Sequence, residues 1–169
     1  DWQGVVGLST SQRKFSALGD EAYVQPSVTR RHSVFWLETL AWRDWRFEAA
    51  LRHERQTTRL QDAGDGRTHH GTSGSLGAIW RFYPGYQAWA SATTAQRMPT
   101  AEELYARGPH MATRTFERGN PALGGERARN LDIGVRKNTG ATTFSVSAFH
   151  NRVAGYIYGR TVDAQEGVQ

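Results

Sequence analysis

The sequence predicts an all-β fold: an antiparallel up-and-down meander forming a partial transmembrane β-barrel, with long extracellular loops and short periplasmic turns. Three observations carry that expectation. Apolar and polar residues alternate in segment after segment, very short and long connections take turns between the segments, and aromatic residues crowd beside the short ones.

The bulk properties allow this and exclude other classes. The chain has 169 residues, 38% hydrophobic and 22% charged, enough for one domain. Mean hydropathy is -0.64, and no apolar run is long enough for a membrane-spanning helix; barrel strands show only every second residue to lipid and escape that test. The absence of cysteine excludes disulfides and thiolate metal sites. A net charge of +5 comes almost wholly from arginine, with Lys14 and Lys137 the only lysines. The arginines are dispersed along the sequence rather than set in a dense basic stripe, so nucleic acid is not an expected partner. No nucleophile signature stands out, and an enzyme is not expected. The chain opens mid-pattern on Asp1-Trp2-Gln3 and stops on Glu166-Gly167-Val168-Gln169, so it is expected to be a piece of a longer protein.

Taken in order, Gln3 to Ser11 reads as a strand and Gln12 to His32, broken by Gly19 and Pro26, as a long loop. Ser33 to Arg43 is rich in β-formers, and Asp44 marks a tight reversal. Trp45 to Arg55 alternates most cleanly, with Trp45, Phe47, Ala49 and Leu51 on one face and Arg46, Glu48, Arg52 and Glu54 on the other. Thr57 to Thr72 reads as a second loop, then Ser73 to Phe82 as a strand. Tyr83-Pro84-Gly85-Tyr86 is a turn, and Gln87 to Gln96 returns as a strand. A third long connection follows, containing a short helix over Ala101 to Arg107 with Thr100 as cap and Glu103 at the box position. Strands near Asn130 to Arg136 and Phe144 to Phe149 flank a turn at Asn138-Thr139-Gly140, and Gly155 begins a fourth loop. The short connections all fall at one end of such a meander, with Trp42, Trp45, Trp80, Phe82, Tyr83 and Tyr86 beside them as an interfacial girdle. The apolar faces would meet lipid. The faces with Arg46, Glu48, Arg52, Glu54, Asp132 and Arg136 would line a polar interior. A soluble β-sandwich accounts for the alternation but not for the placement of loops and aromatics.

Several motifs resemble a known family. Arg97-Met98-Pro99-Thr100 with Glu103-Leu104-Tyr105, then Gly119-Asn120-Pro121 with Leu123, Glu126 and Asn130, resemble the barrel of TonB-dependent outer-membrane receptors. Phe149-His150-Asn151-Arg152, Tyr156-Ile157-Tyr158 and the stretch from Phe15 to Tyr23 are similar too. Leu104 to Glu117 is nearest the zinc- and haem-uptake branch. The resemblance implies a fragment spanning residues 1–169, about seven strands of a barrel of about 22, without its plug and C-terminal strands. It further implies location in the bacterial outer membrane, lipid contact, and a TonB complex acting through the plug. The implied function is active uptake of a metal ion or metal complex, zinc first and haem or a ferric siderophore second. The alternatives of other classes are a passive porin-like channel and a soluble β-sandwich binding module.

No cofactor is required; zinc or haem enters as transported ligand. A zinc site on the outer loops would draw on His69, His70 and His110, supported by Glu102, Glu103 or Glu117, since imidazole and carboxylate suit zinc and three or four ligands complete it. The residues lack the His-x-His or i, i+4 spacing of a preformed site, and polar loops carry histidines in any case. His53 and His150 fall within strand patterns and His32 at the end of the first loop. Tyr156 and Tyr158 fit an upper aromatic girdle or the face of a planar ligand.

Overall fold

The computed structural model describes residues 1–17, 19, 22–61, 66–110 and 114–160. Its main element is one antiparallel sheet of seven strands. In chain order these are β1 (Trp2–Phe15), β2 (Ser27–Trp42), β3 (Trp45–Leu60), β4 (Gly66–Tyr83), β5 (Tyr86–Arg97), β8 (Glu126–Lys137) and β9 (Phe144–Ala154). Each pairs with its sequence neighbour in the sheet, and β1 and β9 are its open edges. Between β5 and β8 lie a short helix α1 (Ala101–Tyr105) and a small hairpin of β6 (Arg107–His110) and β7 (Thr115–Arg118).

The strands exceed their expected bounds, by one residue at most beside the short turns and by several toward the long connections. β1 runs on to Phe15 and β2 begins at Ser27, so His32 is a strand residue paired with Thr10 and Arg55. β3 continues to Leu60 and β4 begins at Gly66, which takes His69 and His70 out of the expected loop and into the ladder opposite Gln56 and Arg55. The reason is physical. Past the apolar band a strand's outward face no longer needs apolar side chains, so the alternation fades while the backbone ladder continues. The hairpin of β6 and β7 was hidden by Gly108 and Pro109, which read as loop.

The short turns form where expected. Arg43-Asp44 reverses the chain with Arg43 at φ 54, Gly85 takes φ 78 and Gly140 φ 90. They are tied sideways: Arg81 N–H donates to the Asp44 carbonyl at 2.8 Å and Asn138 N–H to the Gly85 carbonyl at 2.9 Å. Along this end the rings form a continuous chain, from Phe47 to Trp45 at 5.6 Å, Trp45 to Trp80 at 5.3 Å, Trp80 to Phe82 at 5.4 Å and Phe82 to Tyr86 at 5.9 Å. Tyr86 then meets Phe144 on β9 at 6.3 Å. Aromatic rings in a row from four strands, β3, β4, β5 and β9, are the girdle that an interface requires.

Residues paired in the ladder share a face. One face carries Val6, Leu8, Val34, Leu51, Leu76, Ile133 and Val146, and it lies open, with Leu8 at 83% and Leu76 at 67% exposure. No second sheet covers it among the described residues. A sandwich would bury these side chains; a membrane wall turns them to lipid. The opposite face is polar: Arg46 pairs with Glu48 at 2.7 Å, Arg52 with Glu54, and Arg136 donates to the Gln87 side-chain oxygen at 2.8 Å and 2.7 Å. Among the described residues the buried apolar side chains are few, and Val24, Met98 and Leu104 all belong to the long connections, not to the sheet.

Candidate functional site

The third long connection folds down onto the polar face at the end away from the aromatic girdle. Its first anchor is Arg97, the last residue of β5. The guanidinium gives Nε and Nη2 to Glu126 at 2.7 and 2.8 Å, and Nη1 and Nη2 to Glu103 at 2.9 Å each. One side chain thus joins the end of β5, the start of β8 and α1. A guanidinium suits this position because its planar fork can engage two carboxylates at once.

The helix is short, and its cap is complete. Thr100 Oγ1 accepts from Glu103 N–H at 3.2 Å while the Glu103 carboxylate accepts from Thr100 N–H at 2.8 Å. Together these satisfy donors that a five-residue helix could not otherwise pair. Ahead of it, the Pro99 carbonyl accepts from Gln56 Nε2 on β3 at 2.7 Å. Leu104 is fully buried. Gly119 explains itself by geometry: a Cβ there would lie 2.6 Å from the Leu104 carbonyl carbon and 2.7 Å from Tyr105 N. The close approach lets Gly119 N–H reach the Ala106 carbonyl at 2.7 Å and Asn120 N–H the Glu103 carbonyl at 2.9 Å. Asn120 then caps its own turn, its Oδ1 accepting from Ala122 N–H at 2.9 Å. Asn130 lies on the inner face of β8, between Thr93 and Asn151. The family-like residues are therefore chiefly the fastenings of this connection.

His69 faces inward with Gln56, and its Nε2 bonds the Leu123 carbonyl at 2.9 Å; Arg67, two residues earlier, reaches the Pro121 carbonyl at 3.0 Å. His70 faces outward, as a neighbouring strand residue must, and its ring stacks on His53 at 5.9 Å. His110 lies on β6, bonds Glu117 at 2.9 Å and stacks on Tyr23 of the first connection at 4.8 Å. The hairpin is further tied there by Arg107 N–H to the Tyr23 carbonyl at 2.6 Å. Glu102 meets Arg13 of β1 at 2.9 Å. Burial opposes the Glu102 charge, but its own backbone N–H, the Thr100 hydroxyl and Arg13 outweigh burial and hold the carboxyl below its usual value.

The structure thus brings His110 and Glu117 together, and joins Glu103 to Glu126 through Arg97. It sends His69 and His70 to opposite faces. Among the described residues no group of three or more histidine or acidic side chains stands close enough to hold a metal ion. What sequence reasoning missed are the cations Arg13, Arg67 and Arg97 as partners of this connection. Only Arg97 carried a signal, its place at the head of the Pro-Thr motif.

The arrangement makes a mouth: a polar inner wall, partly crossed by a connection held through ionic and backbone bonds at both ends. Beneath α1 a cavity of about 110 Å³ remains, bounded by Ser11, Arg13, Arg31, Gln56 and Thr100.

Comparison with known proteins agrees with this architecture. The chain is 26% identical over 127 residues to hemoglobin-haptoglobin utilization protein B of Neisseria meningitidis serogroup C, covering 67% of this chain and 15% of the relative. The serogroup A protein of the same name matches equally. Among solved structures, the copper transporter OprC superposes with a TM-score of 0.72 at 16% identity, covering 90% of this chain and 28% of that one. The chain therefore spans a minor part of the length of these relatives. The family model described as TonB dependent receptor-like, beta-barrel matches residues 1–168. With that match over nearly its whole length, the chain belongs to the TonB-dependent receptor β-barrel family of the bacterial outer membrane.

Proposed function

We propose that the receptor containing this wall segment actively imports a metal complex across the outer membrane, driven by a TonB complex through a plug domain. The observation that carries this reading is the mouth itself. A connection latched over a polar inner wall by Arg97, Glu103 and Glu126 gives a shaped, hydrated entrance rather than a plain open pore. A passive channel needs no such fastening.

Within that function, haem carried by a host protein is the cargo we favour. The meningococcal relatives named for haemoglobin–haptoglobin utilization support it. Zinc is the second reading, and one observation favours it: His110 and Glu117 already stand 2.9 Å apart at the hairpin. Two donors need a third and fourth from elsewhere.

A strain deleted for the full-length receptor separates the readings. Loss of growth on haemoglobin as iron source, with zinc-limited growth intact, supports haem. Loss confined to zinc limitation supports zinc. Growth unaffected by removal of TonB would overturn active uptake altogether. For zinc, calorimetry of the full-length receptor with His69, His70 and His110 all changed to Ala must show lost affinity, and unchanged affinity ends that reading.

A further inference from the structure

The inner face of the first two strands carries a square of alternating chemistry beneath α1. Ser11 on β1 stands opposite Arg31 on β2, and Arg13 stands opposite Thr29, two residues farther toward the loops. Residues two apart on a strand, and residues paired across it, share a face. The two guanidinium side chains therefore start from one diagonal of the square and the two hydroxyls from the other. Diagonal neighbours are about 7–8 Å apart at the backbone, a separation that two arginine side chains readily close. β3 extends the floor, with Gln56 opposite Arg31 and Thr58 opposite Thr29.

Both arginines are already held in place. Gln56 is 1% exposed; its oxygen accepts from Arg31 Nε at 2.8 Å and its nitrogen donates to the Pro99 carbonyl at 2.7 Å. Bound at both ends, Gln56 cannot turn, and it fixes the Arg31 fork. From α1, Glu102 accepts from Arg13 Nη2 at 2.9 Å. A guanidinium has five N–H donors, and each of these bonds uses one. Thr29 and Thr58 share only a long hydroxyl contact of 3.4 Å, so the Thr29 hydrogen can turn elsewhere at little cost. Thr100 and Ala101 roof the square, and the cavity of about 110 Å³ lies between roof and floor. That space is well above the about 10–15 Å³ that admits a single water.

Two cationic forks with two hydroxyls suit a ligand that only accepts hydrogen bonds and spreads several oxygens in three dimensions. A metal cation would meet two positive charges there, and a single-atom anion such as chloride cannot engage both forks in pairs of parallel bonds. We propose that the cavity beneath α1 is a binding site for a free tetrahedral oxyanion of the phosphate and sulfate class. Bound there, the anion joins β1 to β2 under the roof and clamps the third connection to the inner wall. The site is separate from the transported cargo, and its test does not depend on which cargo is carried.

The experiment uses the full-length receptor in detergent and in buffer free of phosphate and sulfate. Inorganic phosphate, sulfate and chloride are titrated in turn by calorimetry, and hydrogen exchange is read at the Leu104 and Ala106 amides, both bonded within the α1 region. Phosphate and sulfate are expected to bind saturably and to slow exchange at both amides, while chloride does neither. Arg31→Gln should weaken phosphate binding at least about tenfold, and the distant inward variant Arg46→Gln should leave it unchanged. Two further variants separate a binding role from a merely structural one, because both break the Arg13–Glu102 pair. Arg13→Gln removes a fork and should weaken binding about tenfold; Glu102→Gln frees that fork, removes a nearby negative charge and should tighten binding severalfold. If Arg31→Gln does not assemble, Thr29→Val is read in its place, with weakened binding expected. Absence of saturable phosphate binding, an equal response to chloride, or a loss of affinity in Glu102→Gln matching that in Arg13→Gln would each overturn the proposal and leave the cavity to water.

Discussion

Changing Arg97 to Ala tests whether the mouth connection is held by one guanidinium. The substitution removes the bonds to Glu126 and Glu103, at 2.7 to 2.9 Å. Neither carboxylate is then orphaned, because Glu126 keeps the Ile157 N–H at 2.6 Å and Glu103 the Thr100 N–H at 2.8 Å. Arg97 is 43% exposed while Glu126 is only 11% exposed, so the site lies between a surface pair and a buried one. Exposed pairs contribute less than about 1 kcal/mol and broken buried pairs cost about 3–5; an intermediate cost of about 2 kcal/mol follows. Because the sheet ladder is untouched, that cost falls on local opening, raised about thirtyfold. Hydrogen exchange of the full-length receptor in detergent reads it at the Gly119 and Asn120 amides, both bonded within the latch. Arg97→Lys, a point charge able to serve one carboxylate at a time, should fall between the two. Unchanged protection in Arg97→Ala would refute the latch.

Three further outcomes follow from the same geometry. Gly119→Ala should loosen the connection by at least about 2 kcal/mol, since its Cβ meets backbone rather than a movable side chain; exchange at Leu104 and Tyr105 measures it, and wild-type protection counts against the close approach. Leu76→Arg, in the middle of the outward apolar band, should cost about 2–4 kcal/mol of folding into lipid vesicles, while inward Ser75→Arg is tolerated; equal effects would undo the assignment of faces. The Glu102 carboxyl is held below its usual value, so its contribution is full above the unfolded pKa and lost as pH falls through the folded one. Protease cutting near α1 should therefore rise on acidification below about pH 4, and Glu102→Gln should flatten that rise.

Strand existence was legible wherever lipid dictated the pattern. Trp45 to Leu51 alternates because its outward residues lie within the apolar band, and the girdle was legible because Trp and Tyr have few other reasons to crowd three short turns. Strand ends were not legible, because above the band only the backbone ladder specifies structure, and Thr57, Thr58 and Arg59 show no alternation of hydropathy. The histidine doublet failed for the same reason. Adjacent in sequence, His69 and His70 suggested a joint donor pair; once in a strand they serve opposite faces, one fastening Leu123 and one stacking on His53. At the mouth, Thr100 and Glu103 were legible because a capping box is local, whereas Arg13 and Arg67 act on residues far along the chain.

Charge shows most plainly what a linear reading loses. Along the sequence the arginines look evenly scattered, because Arg30 and Arg31, or Arg127 and Arg129 with their acidic neighbours, alternate between faces or lie far apart in the chain. Folding sorts them. Arg31 turns inward to bond Gln56 at 2.8 Å, while Arg30 turns outward to Gln12 at 3.0 Å. On the inward faces of the described strands, Arg13, Arg31, Arg46, Arg52, Arg67, Arg97 and Arg136 stand with Glu48, Glu54, Glu126 and Asp132, so the inner wall too carries more base than acid. An interior whose cations are met by acids, amides and backbone carbonyls of the chain itself is free to select cargo by shape and local contacts.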